Sequence, residues 1–128
     1  MKFPYLYPED HSRNTYERDV AILNKKNALQ NFKIDDTYRC LVQRASHYFE
    51  SRGIQYVLVI MPVSPDVVSS TKEEVESAKC LFKDTFHGIT LLDCYSILSA
   101  DDFYDAVHPN RLGAAQLTNH VTGKLKMN

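Results

Sequence analysis

The chain has 128 residues, enough for one ordinary domain and too few for two. Hydrophobic residues make up 44% and charged residues 24%, a globular composition that excludes an intrinsically disordered chain. Net charge is −1 with both signs interspersed, so no basic stripe marks a nucleic-acid or anionic-membrane surface.

Residues 1–13 are rich in Pro, Tyr and charge and are expected to form an irregular arm. From Asn14 to about Gln30, Tyr16, Val20, Leu23 and Asn27 share one helical face, a weak amphipathic signal. The pattern over 36–52 is clearer. Tyr38, Leu41, Val42, Ala45, Tyr48 and Phe49 recur at helical spacing and predict a buried stripe. Asp35 or Asp36 can cap its start, and Gly53 follows its last turn, where a left-handed residue ends a helix cheaply.

Residues 54–61, Ile-Gln-Tyr-Val-Leu-Val-Ile-Met, are nearly continuous in aliphatic residues, and Pro62 stops them. A strand apolar on both faces is what a parallel sheet between helices requires. Ser70 with Glu73, or Thr71 with Glu74, fits a capping box that opens a second helix. Val75, Ala78, Leu81, Phe82 and Phe86 form its apolar face, and His87-Gly88 closes it. Residues 89–95 read as a second strand. A last helix is expected from Pro109 to about Lys126, with Ala114, Leu117, Val121 and Leu125 inward and Pro109 at its first position.

Alternation of helix and strand predicts right-handed crossovers and an α/β fold with a parallel sheet. Two strands leave a sheet edge uncovered, so the chain is expected to self-associate or to meet a partner there. Cys40, Cys80 and Cys94 are odd in number and in no Cys-x-x-Cys pair, which suits reduced thiols, small core residues and a cytosolic chain. The first residues hold no apolar signal core and no stretch is long enough to span a bilayer. As written, the expectation is a cytoplasmic protein without a membrane segment.

Ligands of open parallel sheets bind beyond the carboxyl ends of the strands. Residues 62–66 and 99–110 fall there, the second segment carrying Asp101, Asp102, Asp105 and His108. In Asp105-Ala106-Val107-His108 the spacing of three lets a carboxylate fix one imidazole nitrogen while the other takes a proton from a hydroxyl. The same spacing also serves a plain capped turn with an exposed histidine. The four acidic and imidazole groups could alternatively hold a divalent ion, although adjacent acids more often solvate a loop.

The stretch Phe103-Tyr104-Asp105-Ala106-Val107-His108-Pro109-Asn110-Arg111-Leu112-Gly113-Ala114-Ala115 resembles the last conserved block of the SGNH hydrolases, also called GDSL-type esterases. Upstream, Ser51-Arg52-Gly53-Ile54, the strand Tyr56-Val57-Leu58-Val59-Ile60 and its exit Met61-Pro62-Val63-Ser64-Pro65 are similar to that family's penultimate strand and loop, and Leu91-Leu92-Asp93 to its last strand. The likeness covers roughly residues 36–126 and implies the C-terminal half of a three-layer, flavodoxin-like α/β domain within a single domain over 1–128.

The resemblance implies an ester hydrolase or O-acyl (acetyl) transferase acting on a small ester or O-acylated carbohydrate, without a cofactor or metal. Asp105 would orient His108, which would act as general base and then general acid. Asn110 and Gly113 match structural positions of the block. The family's nucleophilic serine lies in a G-D-S motif and its oxyanion donors in earlier loops. This sequence has neither G-D-S nor G-x-N-D, so the chain departs from the pattern where the chemistry starts. Ser64 is the one candidate substitute, although Ser-Pro between two prolines also reads as an ordinary turn. The rival expectation is a catalytically inactive, truncated relative that serves as a structural or interaction module. Proteins of this type often work in the cell envelope, which a longer parent could reach.

Overall fold

The computed structural model describes residues 13–126. Four helices, α1 (Arg13–Asn24), α2 (Asp36–Glu50), α3 (Lys72–Thr85) and α4 (Arg111–Lys126), accompany two strands, β1 (Val57–Ile60) and β2 (Thr90–Asp93). A short 3₁₀ turn spans Ala100–Asp102. The strands lie side by side and parallel, so the chain is a mixed helix–strand protein with the expected alternation from α2 to α4. The arm expected over residues 1–13 lies outside the described residues except for Arg13, with which α1 begins.

The described residues cluster into two compact units. One gathers 28–59 and 70–92, and the other 13–27, 60–69 and 93–126. In the first, α2 ends as the sequence leads one to expect. Gly53 adopts φ 74°, its amide donates to the Glu50 carbonyl, and the Ile54 amide donates to Phe49 (both 3.0 Å). These two bonds satisfy carbonyls that the end of a helix otherwise orphans. Of the two capping boxes available to α3, the chain uses Thr71 and Glu74. The Glu74 amide donates to Thr71 Oγ1 at 3.1 Å, and the Thr71 amide donates to Glu74 Oε1 at 2.9 Å.

Ring contacts bind this unit together. Phe32 stacks on Phe82 at 5.8 Å between centroids, and Tyr38 meets Phe86 edge-on at 6.1 Å. The stripe predicted on α2 is only partly covered. Val42 is buried, but Tyr38, Leu41, Tyr48 and Phe49 stay exposed, Leu41 by 59%. Two four-residue strands about 4.8 Å apart present too narrow a surface to cover a helix of four turns. All four residues of β1 are only half-buried for the same reason.

The other unit has its core at Tyr16, Leu98 and Phe103, with Val20, Ile97 and Ala100 packed against them. Here α1 is shorter than expected and stops at Asn24 rather than near Gln30. The start of α4 also differs. Pro109 is not its first residue but pairs with Phe103 in an isolated antiparallel bridge. The helix begins at Arg111, capped by Asn110, whose Oδ1 accepts from the Gly113 amide at 3.0 Å. The bridge wins because it closes the loop that precedes the helix. Of the three cysteines only Cys94 is buried; Cys40 and Cys80 are exposed, because each lies on the outer side of its helix rather than on the apolar stripe.

Gly113 is where α4 meets the 3₁₀ turn. A Cβ added there would stand 2.1 Å from the Asp102 carbonyl oxygen, whereas one added at Gly123 on the same helix meets nothing within 4 Å. The same substitution therefore has opposite signs at the two sites. Gly113→Ala should cost about 1–3 kcal/mol, since backbone must shift to admit the methyl. Gly123→Ala should stabilise by up to about 1 kcal/mol through helix propensity. Urea unfolding of the two variants checks the pair.

Candidate functional site

The loop between Phe103 and Pro109 carries the candidate pair, and its ends are tied before its tip is shaped. The Tyr104 amide donates to the His108 carbonyl, and the Asn110 amide to the Asp102 carbonyl, both at 2.8 Å. Asn110 Nδ2 adds a bond to the Asp101 carbonyl at 2.7 Å. Asp102 itself is buried and spent on structure. Its carboxylate accepts from the Ser99 amide (2.9 Å), the Ser99 hydroxyl (3.0 Å) and Gln116 Nε2 on α4 (3.0 Å).

Within the loop, Asp105 folds the chain around its own carboxylate. Oδ1 accepts from the amides of Val107 (2.9 Å) and His108 (2.7 Å), and Oδ2 lies 2.7 Å from His108 Nδ1. Burial pushes the Asp105 pKa up, but the Val107 amide, the His108 ring and the His108 amide together outweigh it. The carboxyl is held below its ordinary value. An ionised carboxylate only accepts, so Nδ1 must carry the proton that points at it. In the neutral ring that leaves Nε2 as the acceptor. The imidazole is 72% exposed against 18% for Asp105, and no described residue bonds to Nε2.

Ser64 sits beside this loop with its side chain buried. Its amide donates to the Ala106 carbonyl at 3.1 Å, which brings the loop after β1 against the Asp105–His108 turn. Its side chain, on a residue only 1% exposed, points into the core. The Asp66 amide donates to Ser64 Oγ (3.3 Å), and the Tyr16 hydroxyl donates to Asp66 Oδ2 (2.7 Å). Tyr16 has one proton, so the 2.5 Å contact between Tyr16 Oη and Ser64 Oγ is a bond donated by the serine. A serine whose proton is given to a buried tyrosine is not presented for attack, and the candidate nucleophile is better described as a loop anchor.

Tyr16, Asp66 and Asn24 shape the site without having been singled out. Asn24 Nδ2 donates to the Asp66 carbonyl (3.0 Å) and its Oδ1 accepts from the Val68 amide (2.7 Å). Tyr16 and Ser64 are 48 positions apart, and nothing local in either segment signals the other. Among the described residues no three His, Cys, Asp or Glu side chains are grouped to hold a metal ion, which matches the commitment of Asp102 and Asp105 to other partners. A cleft of about 160 Å³ opens beside Asp105, lined by Ala106 and Val107 and by Asp19, Ile22 and Leu23 of α1. A broader recess of about 530 Å³ along α2 includes none of these residues. No helix among the described residues is long and apolar enough to cross a membrane.

The lowered Asp105 pKa has a direction in pH. A carboxyl that ionises more readily folded than unfolded adds stability that is complete above its ordinary value, near 3.9, and is lost as pH falls through its folded value. Asp105→Asn should therefore be less stable than the parent at pH 6. The gap should shrink steadily on acidification, as followed by urea unfolding at stepped pH.

Comparison with protein-family models, with curated proteins and with solved structures finds no match to this chain.

Proposed function

We propose that the chain carries the acid–base half of an SGNH-type site, for an ester hydrolase or O-acyl (acetyl) transferase acting on a small ester or an O-acylated carbohydrate. One observation carries the reading: an ionised Asp105 fixes His108 through Nδ1 while Nε2 faces solvent unengaged by any described residue. In that role Nε2 takes the proton of a hydroxyl nucleophile as its oxygen bonds to the acyl carbon. It then returns the proton to the departing alkoxide.

The fold reading belongs with it. The parallel pair β1 and β2, with the loops after both strands meeting at Ser64 and Ala106, supports one portion of a three-layer, flavodoxin-like sheet. In this reading the serine and the oxyanion donors come from a segment other than those that hold Asp105, His108, Asn110 and Gly113. A cytoplasmic setting, or a cell-envelope one as part of a larger protein, belongs to the same proposal.

A second reading has its own support. Ser64 is engaged in the core, and Tyr38, Leu41 and Tyr48 leave an uncovered apolar stripe on α2. Both features favour a non-catalytic module that self-associates or binds a partner along its sheet edge.

Hydrolysis of p-nitrophenyl acetate by the purified chain separates the two readings. The catalytic reading expects turnover above buffer that falls about 10²-fold or more in His108→Ala and persists in Ser64→Ala. Turnover at the buffer rate rules out a self-sufficient enzyme, and turnover indifferent to His108 rules out its acid–base role and leaves the interaction module.

A further inference from the structure

The bonds that tie Ser64 into the core continue into the candidate site without a break. The Asp66 amide donates to Ser64 Oγ, Ser64 to Tyr16 Oη, and Tyr16 to Asp66 Oδ2, a closed ring of three donors and three acceptors. Each bond in such a ring polarises the next. Tyr16 is 2% exposed, so its hydroxyl has little water to fall back on. Asn24, two turns further along α1, grips the same loop at Asp66 and Val68. The loop after β1 is thus held to α1 at two points.

From that loop one bond leads to Asp105. The Ser64 amide donates to the Ala106 carbonyl, and this carbonyl belongs to the same peptide unit as the Val107 amide, which donates to Asp105 Oδ1. The plane of that peptide is rigid. Fixing its oxygen on Ser64 therefore fixes where its N–H points. Ala106 is 1% exposed, so water does not replace the Ser64 donor.

Resting on the acid–base reading of Asp105 and His108, we infer that Tyr16 is a positioning residue of the site: its hydroxyl, bonded to Ser64 and Asp66, orients the 106–107 peptide that loads the Asp105 carboxylate. Without the hydroxyl, Ser64 must seek another acceptor, the loop shifts, and the Val107 amide no longer meets Asp105 squarely. The consequence falls on the charge of the carboxylate that holds the histidine, 89 residues along the chain from Tyr16 but only three hydrogen bonds away by the path above.

The test follows the Asp105 carboxyl ¹³C resonance through an acid titration, with no substrate present, in the parent chain, Tyr16→Phe and Asp66→Ala. In both variants the Asp105 midpoint should move up toward the ordinary carboxylate value, and exchange of the Val107 amide should quicken about tenfold or more. Asp66→Ala is the second arm, because it removes the acceptor of the Tyr16 hydroxyl while leaving that hydroxyl in place. It also keeps the test alive if Tyr16→Phe does not fold, since Asp66 is exposed. Val121→Ala on α4 supplies a variant weakened elsewhere and should leave the midpoint where it is. An Asp105 midpoint unchanged in the folded variants, or moved as far by Val121→Ala, overturns the inference. A chain that fails to hydrolyse any ester bears on the acid–base reading alone, because the titration needs no turnover.

Discussion

The closure of one loop decides what the candidate site can be. Asp102 and Asn110 are joined through a backbone bond of 2.8 Å, and the Gly113 backbone lies so close to Asp102 that no side chain fits between them. This contact seats α4 on the 3₁₀ turn and fixes both ends of the segment from Phe103 to Pro109. With the ends fixed, the fully buried Phe103 holds the near side in the core and the Phe103–Pro109 bridge closes the neck. Only the tip, Asp105 to His108, remains to be arranged. The Asp105 carboxylate arranges it by accepting from two amides and one ring nitrogen.

Those three bonds have an electrostatic result as well as a geometric one. Partial desolvation alone would favour a neutral carboxyl, yet the donors outweigh it and the group stays ionised. An anion in that position requires a proton on the facing nitrogen of His108. In the proposed role, this is an acid–base pair that acts on a hydroxyl. Ser64 does not supply that hydroxyl, because its own proton is given to Tyr16 inside the core. The loop that could have carried a nucleophile carries a brace.

Much of this was legible in the residues where the signal is local. Gly53 ends α2 at the positive φ its position called for, Thr71 and Glu74 form one of the two foreseen boxes, and Asp105 and His108 bond at the spacing that drew attention to them. The misread features depend on partners far along the chain. Pro109 looks like a first helical residue until Phe103 is seen to pair with it, which moves the start of α4 to Arg111. The α2 stripe was expected to be buried, but periodicity reports which face is apolar and not how wide a surface is available to cover it. Tyr16, on a weakly amphipathic helix, gives no hint of the serine 48 residues away that it holds.

The central claim is that an ionised Asp105 dictates the proton arrangement on His108, and the ring nitrogens report it directly. Long-range ¹⁵N–¹H correlation of the histidine ring, recorded at a pH where the imidazole is neutral, distinguishes the two tautomers. The account predicts the proton on Nδ1 in the parent chain and a mixture of tautomers in Asp105→Ala. A parent chain with its proton on Nε2, leaving Nδ1 bare against the carboxylate, would contradict it.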